Sequence, residues 1–214
     1  MSTPPRFADR TDAGERLGEA IREREIDADL VLAVPRGGLP IGRAVADALD
    51  VPLDIVVASK IGAPGNPEYA VGAVASDGSV WRNESAIRGT GADEVYFQRE
   101  RETEMAVARR KVDRYRGDRP ALDVTGRTVV VVDDGVATGS TLMACLRMLE
   151  NTDVARIVVA VPVGPPDTIR ELRGLADEVV CLQTPSRFSG VGAFYARFDQ
   201  VSDAEAMAYL EAEP

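Results

Sequence analysis

Hydrophobic residues follow two rhythms along this chain. Leu30 to Val34, Thr128 to Val132, Ile157 to Val161 and Glu178 to Leu182 are short, nearly continuous runs rich in β-branched residues, the pattern of strands buried on both faces of a parallel sheet. Between them the apolar positions recur every three or four residues. Asp12-Ala13-Gly14-Glu15 has the spacing of a capping box, and Leu17, Ala20 and Ile21 continue it, which predicts a first helix from Asp12 to about Arg24. Ile41, Val45 and Leu49 share one face of a helix over Leu39 to Leu49. A strand over Asp54 to Ala58 follows, ending at Ser59-Lys60.

Gly62, Pro64, Gly65 and Pro67 punctuate Ile61 to Tyr69, a composition that predicts a flexible loop. Val71 to Ala75 and Ser79 to Trp81 flank Asp77-Gly78 as a hairpin. Ala92 to Tyr115 reads as a long charged helix whose charges mostly form a solvated face. Gly117 to Gly126 then links it to the next strand. Pro165-Pro166 opens a helix to about Leu172, and Ser202-Asp203-Ala204-Glu205 caps a last helix through Leu210. The stretch Thr184 to Phe198, with Phe188, Phe194, Tyr195 and Phe198 among glycines, fits no strand–helix unit. Strands alternating with helices predict an α/β fold: one domain over residues 1–214, an open, mainly parallel sheet flanked by helices, with residues 184–214 as a C-terminal hood.

One segment carries chemistry. The run Thr128 to Val132 stops at Asp133-Asp134, a turn Gly135-Val136-Ala137-Thr138-Gly139-Ser140-Thr141 follows, and an apolar helix starts at Leu142. Open α/β sheets bind ligands at the carboxyl ends of their strands. Backbone N–H groups at a helix start, beside the hydroxyls of Thr138, Ser140 and Thr141, suit a phosphate. Two carboxylates just upstream suit the vicinal hydroxyls of a sugar. Together they describe a site for a ribose 5-phosphate.

Composition narrows the chemistry further. The chain has 214 residues, 35 acidic and 25 basic side chains and no histidine, for a net charge of −10. Without histidine, Ser-His-Asp and Cys-His catalysis and histidine-ligated metals are excluded. The negative field disfavours nucleic acid as a partner. Cys145 and Cys181 are too few for a disulfide framework and sit in apolar surroundings as expected of buried thiols. No apolar run approaches the ~20 residues of a membrane span, and Met1 to Arg6 lacks the apolar core of a signal peptide. The expected setting is therefore cytoplasmic.

The segment Thr128 to Thr141 resembles the signature of the type I phosphoribosyltransferases, which use phosphoribosyl pyrophosphate (PRPP). Arg6-Phe7-Ala8-Asp9-Arg10 with Ala13-Gly14, Asn66 to Ala73, and Val191-Gly192-Ala193-Phe194-Tyr195 resemble an uncharacterised microbial branch of that superfamily. The resemblance implies that Asp133 and Asp134 hold the ribose hydroxyls and that Gly135 to Thr141 bind PRPP, with Val136 to Thr141 around the 5-phosphate. It makes Arg36-Gly37-Gly38 the pyrophosphate loop, Lys60 a further pyrophosphate contact, and Ile61 to Tyr69 a lid with Glu68 and Tyr69 at its far end. Asp133, Asp134, Lys60 and Arg36 are then the catalytic candidates; Val136, Phe188 and Phe194 are candidates for covering the base. Mg²⁺ is the implied cofactor, carried by the substrate without direct protein ligands. Homodimers are common in the superfamily, so a second copy of the chain is a partner to expect. Ala137 stands where branches acting on 6-oxopurines carry a proton-managing aspartate, which disfavours such an acceptor. The activity implied is transfer of ribose 5-phosphate from PRPP to a nitrogenous base in nucleotide salvage. The rival reading is a PRPP-sensing regulator that keeps the pocket without catalysis.

Overall fold

A computed structural model describes residues 7–211. The readings made on Met1 to Arg6 and on the last three residues of the hood lie outside them. The elements run α1 (Arg10–Glu23), β1 (Leu30–Ala33), α2 (Gly38–Leu49), β2 (Leu53–Ile55), β3 (Ala58–Ala63), β4 (Asn66–Ala75), β5 (Val80–Arg82), α3 (Glu84–Thr90), α4 (Glu94–Arg116), β6 (Thr128–Val132), α5 (Ser140–Glu150), β7 (Arg156–Val163), α6 (Pro166–Leu172), β8 (Glu178–Gln183), a 3-10 turn (Val191–Phe194) and α7 (Asp203–Glu211).

Five strands in the order β2-β1-β6-β7-β8 form the expected sheet, and every pairing in it is parallel. Alternation along each strand divides the core in two. Val31, Ala33, Val130, Val132, Val158 and Ala160 face α1, α2 and α7. Leu30, Leu32, Val129, Val131, Val159 and Val161 face α5 and α6. Both faces are buried, which is why the strands read as unbroken apolar runs. Central β6 pairs with β1 and β7 on its two sides, so its carboxyl end opens between two neighbouring strand ends. Among the described residues no helix is long and apolar enough to cross a membrane.

The largest departure from expectation is the stretch Ile61 to Tyr69. It is a β-hairpin: β3 and β4 pair antiparallel, β5 adds a third strand, and Pro64-Gly65 makes the turn. Proline presets the first turn position and Gly65, at φ 72°, supplies the positive φ of the second. The glycines and prolines thus mark a turn and a register shift at Gly62 within a sheet. A separate apolar cluster of Ile61, Val71, Val74 and Phe97 anchors this sheet to α3 and α4. The predicted strand Asp54 to Ala58 is likewise two pieces: the chain leaves the parallel sheet after Ile55 and begins the small sheet at Ala58.

Smaller corrections concern ends. Helix α1 starts at Arg10 because Asp9 caps it, accepting from the Asp12 amide at 3.1 Å. Helix α3, capped by Asn83, was not legible in the pattern. Helix α5 starts at Ser140, two residues before the predicted Leu142. The last helix begins as expected, with Ser202 and Glu205 exchanging capping-box bonds.

Long helix α4 is tied to the main sheet at its end. Arg116 reaches Asp54 at 3.1 and 3.2 Å and the Ile55 carbonyl at 3.1 Å, while the Leu122 amide donates to the same carboxylate at 3.0 Å. Asp54 is buried, so removing its partner strands a charge. Arg116→Met should lower stability by about 3 kcal/mol in urea unfolding; a loss under ~1 kcal/mol would show the pair to be solvated.

Candidate active site

At the end of β6 the chain turns away from the sheet in a loop that encloses a hollow of about 140 Å³, lined by Asp133 and by Gly135 to Leu142. Helix α5 begins there, so its unpaired N–H groups and the Ser140 and Thr141 hydroxyls surround one space. A larger cleft of about 520 Å³ adjoins it. Val34 and Pro35 enter this cleft from the end of β1, Ser59, Lys60, Gly62, Pro67 and Glu68 from the hairpin, and Tyr96, Glu100, Glu104 and Lys111 from α4. Asp133 and Thr141 line both spaces. Another groove, of about 440 Å³, is lined only by side chains of α1 and α2 and by Tyr209, with no strand end opening into it.

The two carboxylates of the doublet have different surroundings. Asp134 accepts from Arg10 Nε and Nη2, both at 2.8 Å, with the pair's side chains only 12% and 15% exposed. The same guanidinium donates to the Asp199 carbonyl at 2.7 Å and lies 3.8 Å from the Phe198 ring centroid. Tyr195 donates its hydroxyl to the Asp134 carbonyl at 2.6 Å. Asp133 has no such cation; its Oδ1 accepts from the Asp134 amide at 2.8 Å. Gly37 packs on the doublet so closely that a Cβ there would lie 2.1 Å from Asp134 Oδ2, so any larger residue would push the carboxylate off Arg10. The Pro35–Arg36 peptide bond is cis.

The matches to known proteins agree with this geometry. The phosphoribosyl transferase domain family matches residues 9–196, which include the acidic doublet, the loop after it and the hood turn. The chain belongs to the phosphoribosyl transferase domain family. A Mycobacterium tuberculosis protein named "Putative phosphoribosyl transferase" is 40% identical over 205 residues, covering 96% of this chain and 46% of its own length. The chain therefore spans about half the length of the curated relatives it matches. The crystal structure of TT1426 from Thermus thermophilus superposes with a TM-score of 0.82 at 43% identity, covering 96% of this chain and 97% of that one. The AQ2163 protein from Aquifex aeolicus, 12% identical over 86% of this chain and 78% of that one, shares the fold with a TM-score of 0.53.

Within this phosphoribosyl transferase domain the expected site residues divide. Asp133, Lys60 and Thr141 share one cleft, and Gly135, Val136, Ala137, Thr138, Gly139 and Ser140 complete the adjoining hollow. Gly37 and Gly38 lie against the doublet. Arg36 does not line the cleft; its guanidinium sits 3.3 Å from Asp203, at the start of α7. Lys60 is held by Glu68 at 3.1 Å. None of the three base-covering candidates lines the large cleft. Val136 turns its side chain under the loop onto Gly164 and Ile169, and Phe194 is a core residue stacked 5.8 Å from Phe188. Phe188 spends its face on Phe194 and is absent from the cleft lining.

Sequence reading missed Arg10, Tyr195 and the cleft face of α4. Glu100, Glu104 and Lys111 belong to the charges read as a solvated face, yet they line the cleft with Tyr96. The spacing of Tyr96, Glu100 and Glu104 every four residues is a helical stripe that could have flagged them. The contact of Arg10 with Asp134 spans 124 positions and left no local signal.

Burial raises the pKa of Asp133 well above the usual carboxylate range, and the adjacent Asp134 adds to it. Burial raises Asp134 too, against the lowering pull of Arg10. Burial also pushes Cys181 up to about 11, and Cys145 is raised by the same cause, consistent with inert thiols. A carboxylate raised on folding binds its proton more tightly in the folded state, so its ionisation costs stability, and that cost is complete once pH exceeds the folded value. Asp133→Asn keeps the Oδ1 acceptor and removes the charge. It should raise the melting temperature near neutral pH, with the gain shrinking on acidification through the raised pKa. An unchanged or lower melting temperature near neutrality would contradict a charge held at a cost.

Proposed function

We propose that this domain binds PRPP and transfers its ribose 5-phosphate to a nitrogenous acceptor with release of pyrophosphate. The observation that carries the reading is the junction: Asp133 and Thr141 border both the small hollow and the large cleft. A ribose 5-phosphate has its phosphate at one end and its reacting carbon at the other. The hollow suits the 5-phosphate, which the N–H groups and hydroxyls of Thr138 to Thr141 would hold. The ribose hydroxyls then fall to Asp133, and the pyrophosphate extends into the cleft toward Pro35, Gly38 and Lys60.

In the reaction, a nitrogen of the acceptor attacks C1 of the ribose, the C1–N bond forms and the C1–O bond breaks. The bonding electron pair leaves with pyrophosphate, which also takes the proton that the acceptor nitrogen gives up. Positive charge grows at C1 beside Asp133, and negative charge grows on the leaving group beside Lys60; such fixed opposite charges stabilise the transition state. Asp134, held by Arg10, serves to position the doublet. Arg36 contributes to the leaving group only by exchanging Asp203 for it. Ala137 places no carboxylate over the acceptor, which favours acceptors other than 6-oxopurines.

Among the described residues no three metal-ligating side chains converge to hold an ion by themselves. Asp133 and the cleft glutamates are hard oxygen donors, and they fit Mg²⁺ arriving on substrate oxygens. Bound that way, the ion would neutralise phosphate charge in an acidic cleft. Nucleotide salvage in the cytoplasm, by a homodimer, is the setting this reading implies.

Pyrophosphate release with PRPP, Mg²⁺ and a panel of nitrogenous bases tests the proposal. Release with at least one base is expected, lost in Asp133→Asn and reduced about tenfold or more in Lys60→Ala. Tight PRPP binding with silence across the panel would identify a sensor, and no PRPP binding at all would refute the site.

A further inference from the structure

Lysine is scarce in this chain. Of 25 basic residues only Lys60 and Lys111 are lysines, and both line the 520 Å³ cleft beside Asp133. They come from different elements: Lys60 lies on β3, Lys111 in the last turns of α4. One turn beyond Lys111, Tyr115 donates its hydroxyl to Asp203 at 2.9 Å, and Asp203 is the residue that holds Arg36. The end of α4 is thereby fixed against the Pro35 to Gly38 loop, and Pro35 shares the cleft lining with Lys111. Lys111 thus shares one cleft with Pro35 of the first-strand loop and with Asp133 of the acidic doublet.

The other basic groups near the site are engaged. Arg10 is on Asp134, Arg36 on Asp203 and Lys60 on Glu68. For Lys111 no ion pair or hydrogen bond occurs among the described residues. It is half-buried, at the edge of a cleft that also carries Glu68, Glu100 and Glu104. A polyanion entering there meets more carboxylates than ammonium groups, so an unengaged ammonium weighs heavily in its binding.

We propose that Lys111 binds the pyrophosphate of PRPP, closing on it from α4 opposite Lys60 and taking the place left by Arg36. This rests on the PRPP reading of the site. An ammonium on a flexible stem is a point charge that can follow the pyrophosphate as its bond to C1 lengthens. Because Lys111 contacts the diphosphate and not the 5-phosphate, its removal should separate the two halves of the substrate.

Calorimetry with Mg²⁺ on the full chain, using inorganic pyrophosphate and ribose 5-phosphate as separate probes, tests this. In Lys111→Ala the pyrophosphate Kd should rise about tenfold or more, the ribose 5-phosphate Kd should stay within about twofold of wild type, and Lys111→Arg should recover most of the loss. A pyrophosphate Kd within about twofold of wild type, or equal weakening of both probes, would overturn the assignment. Wild-type protein that binds neither probe would overturn the PRPP reading beneath it, a result distinct from a wild type that binds both and a Lys111→Ala that matches it.

Discussion

Two adjacent carboxylates at the end of a buried strand are the constraint on which this structure turns. Side by side and out of water, Asp133 and Asp134 repel one another and lose hydration, and both are pushed toward the protonated form. The fold answers with one cation. Arg10 comes from the first turn of α1, binds Asp134 at 2.8 Å, and is itself fixed by the Asp199 carbonyl and the Phe198 ring. Tyr195 adds a bond to the Asp134 carbonyl. Removing a partner from such a buried pair typically costs about 3–5 kcal/mol, so α1 and the segment of Tyr195 to Asp199 are held together through the acidic doublet.

That arrangement gives the two carboxylates different surroundings. Asp134 is paired with Arg10, and its carbonyl accepts from Tyr195. Asp133 has no cation partner of its own, and burial favours its protonated form at the place where hollow and cleft meet. The hood belongs to the same device: Val191 seats on Gly135, Tyr195 on Asp134, and Phe7 pairs its backbone with Phe194 and Tyr195. Its rings pack one another and the core. The C-terminal segment therefore packs against the signature loop through Val191 and Tyr195.

Much of the main sheet was legible because it depends on local pattern. Continuous β-branched runs gave four of the five strands within a few residues, and the signature put the strand, the turn after Asp133 and the following helix where the structure has them. Errors fell where local composition has two meanings. Gly62, Pro64, Gly65 and Pro67 suit a flexible loop or a bulged hairpin, and the apolar contacts of Ile61 with Val71 and Phe97 decide for the hairpin. Phe194 could have covered a ligand or filled the core, and burial decided. The Arg10–Asp134 pair and the packing of Arg36 toward Asp203 join segments more than a hundred residues apart, for which a single sequence carries no local signal. The cleft face of α4 was partly legible as a four-residue stripe, but its direction depends on the hairpin beneath it.

The central claim is that Asp133 grips the sugar while Asp134 stays on Arg10. A crystal soaked with a non-hydrolysable PRPP analogue and Mg²⁺ tests it most directly. The 5-phosphate is expected within the Val136 to Thr141 loop, a ribose hydroxyl on Asp133, and the Arg10–Asp134 pair intact. An analogue bound outside that loop, or an Asp134 released from Arg10 to take the ribose in place of Asp133, would contradict it.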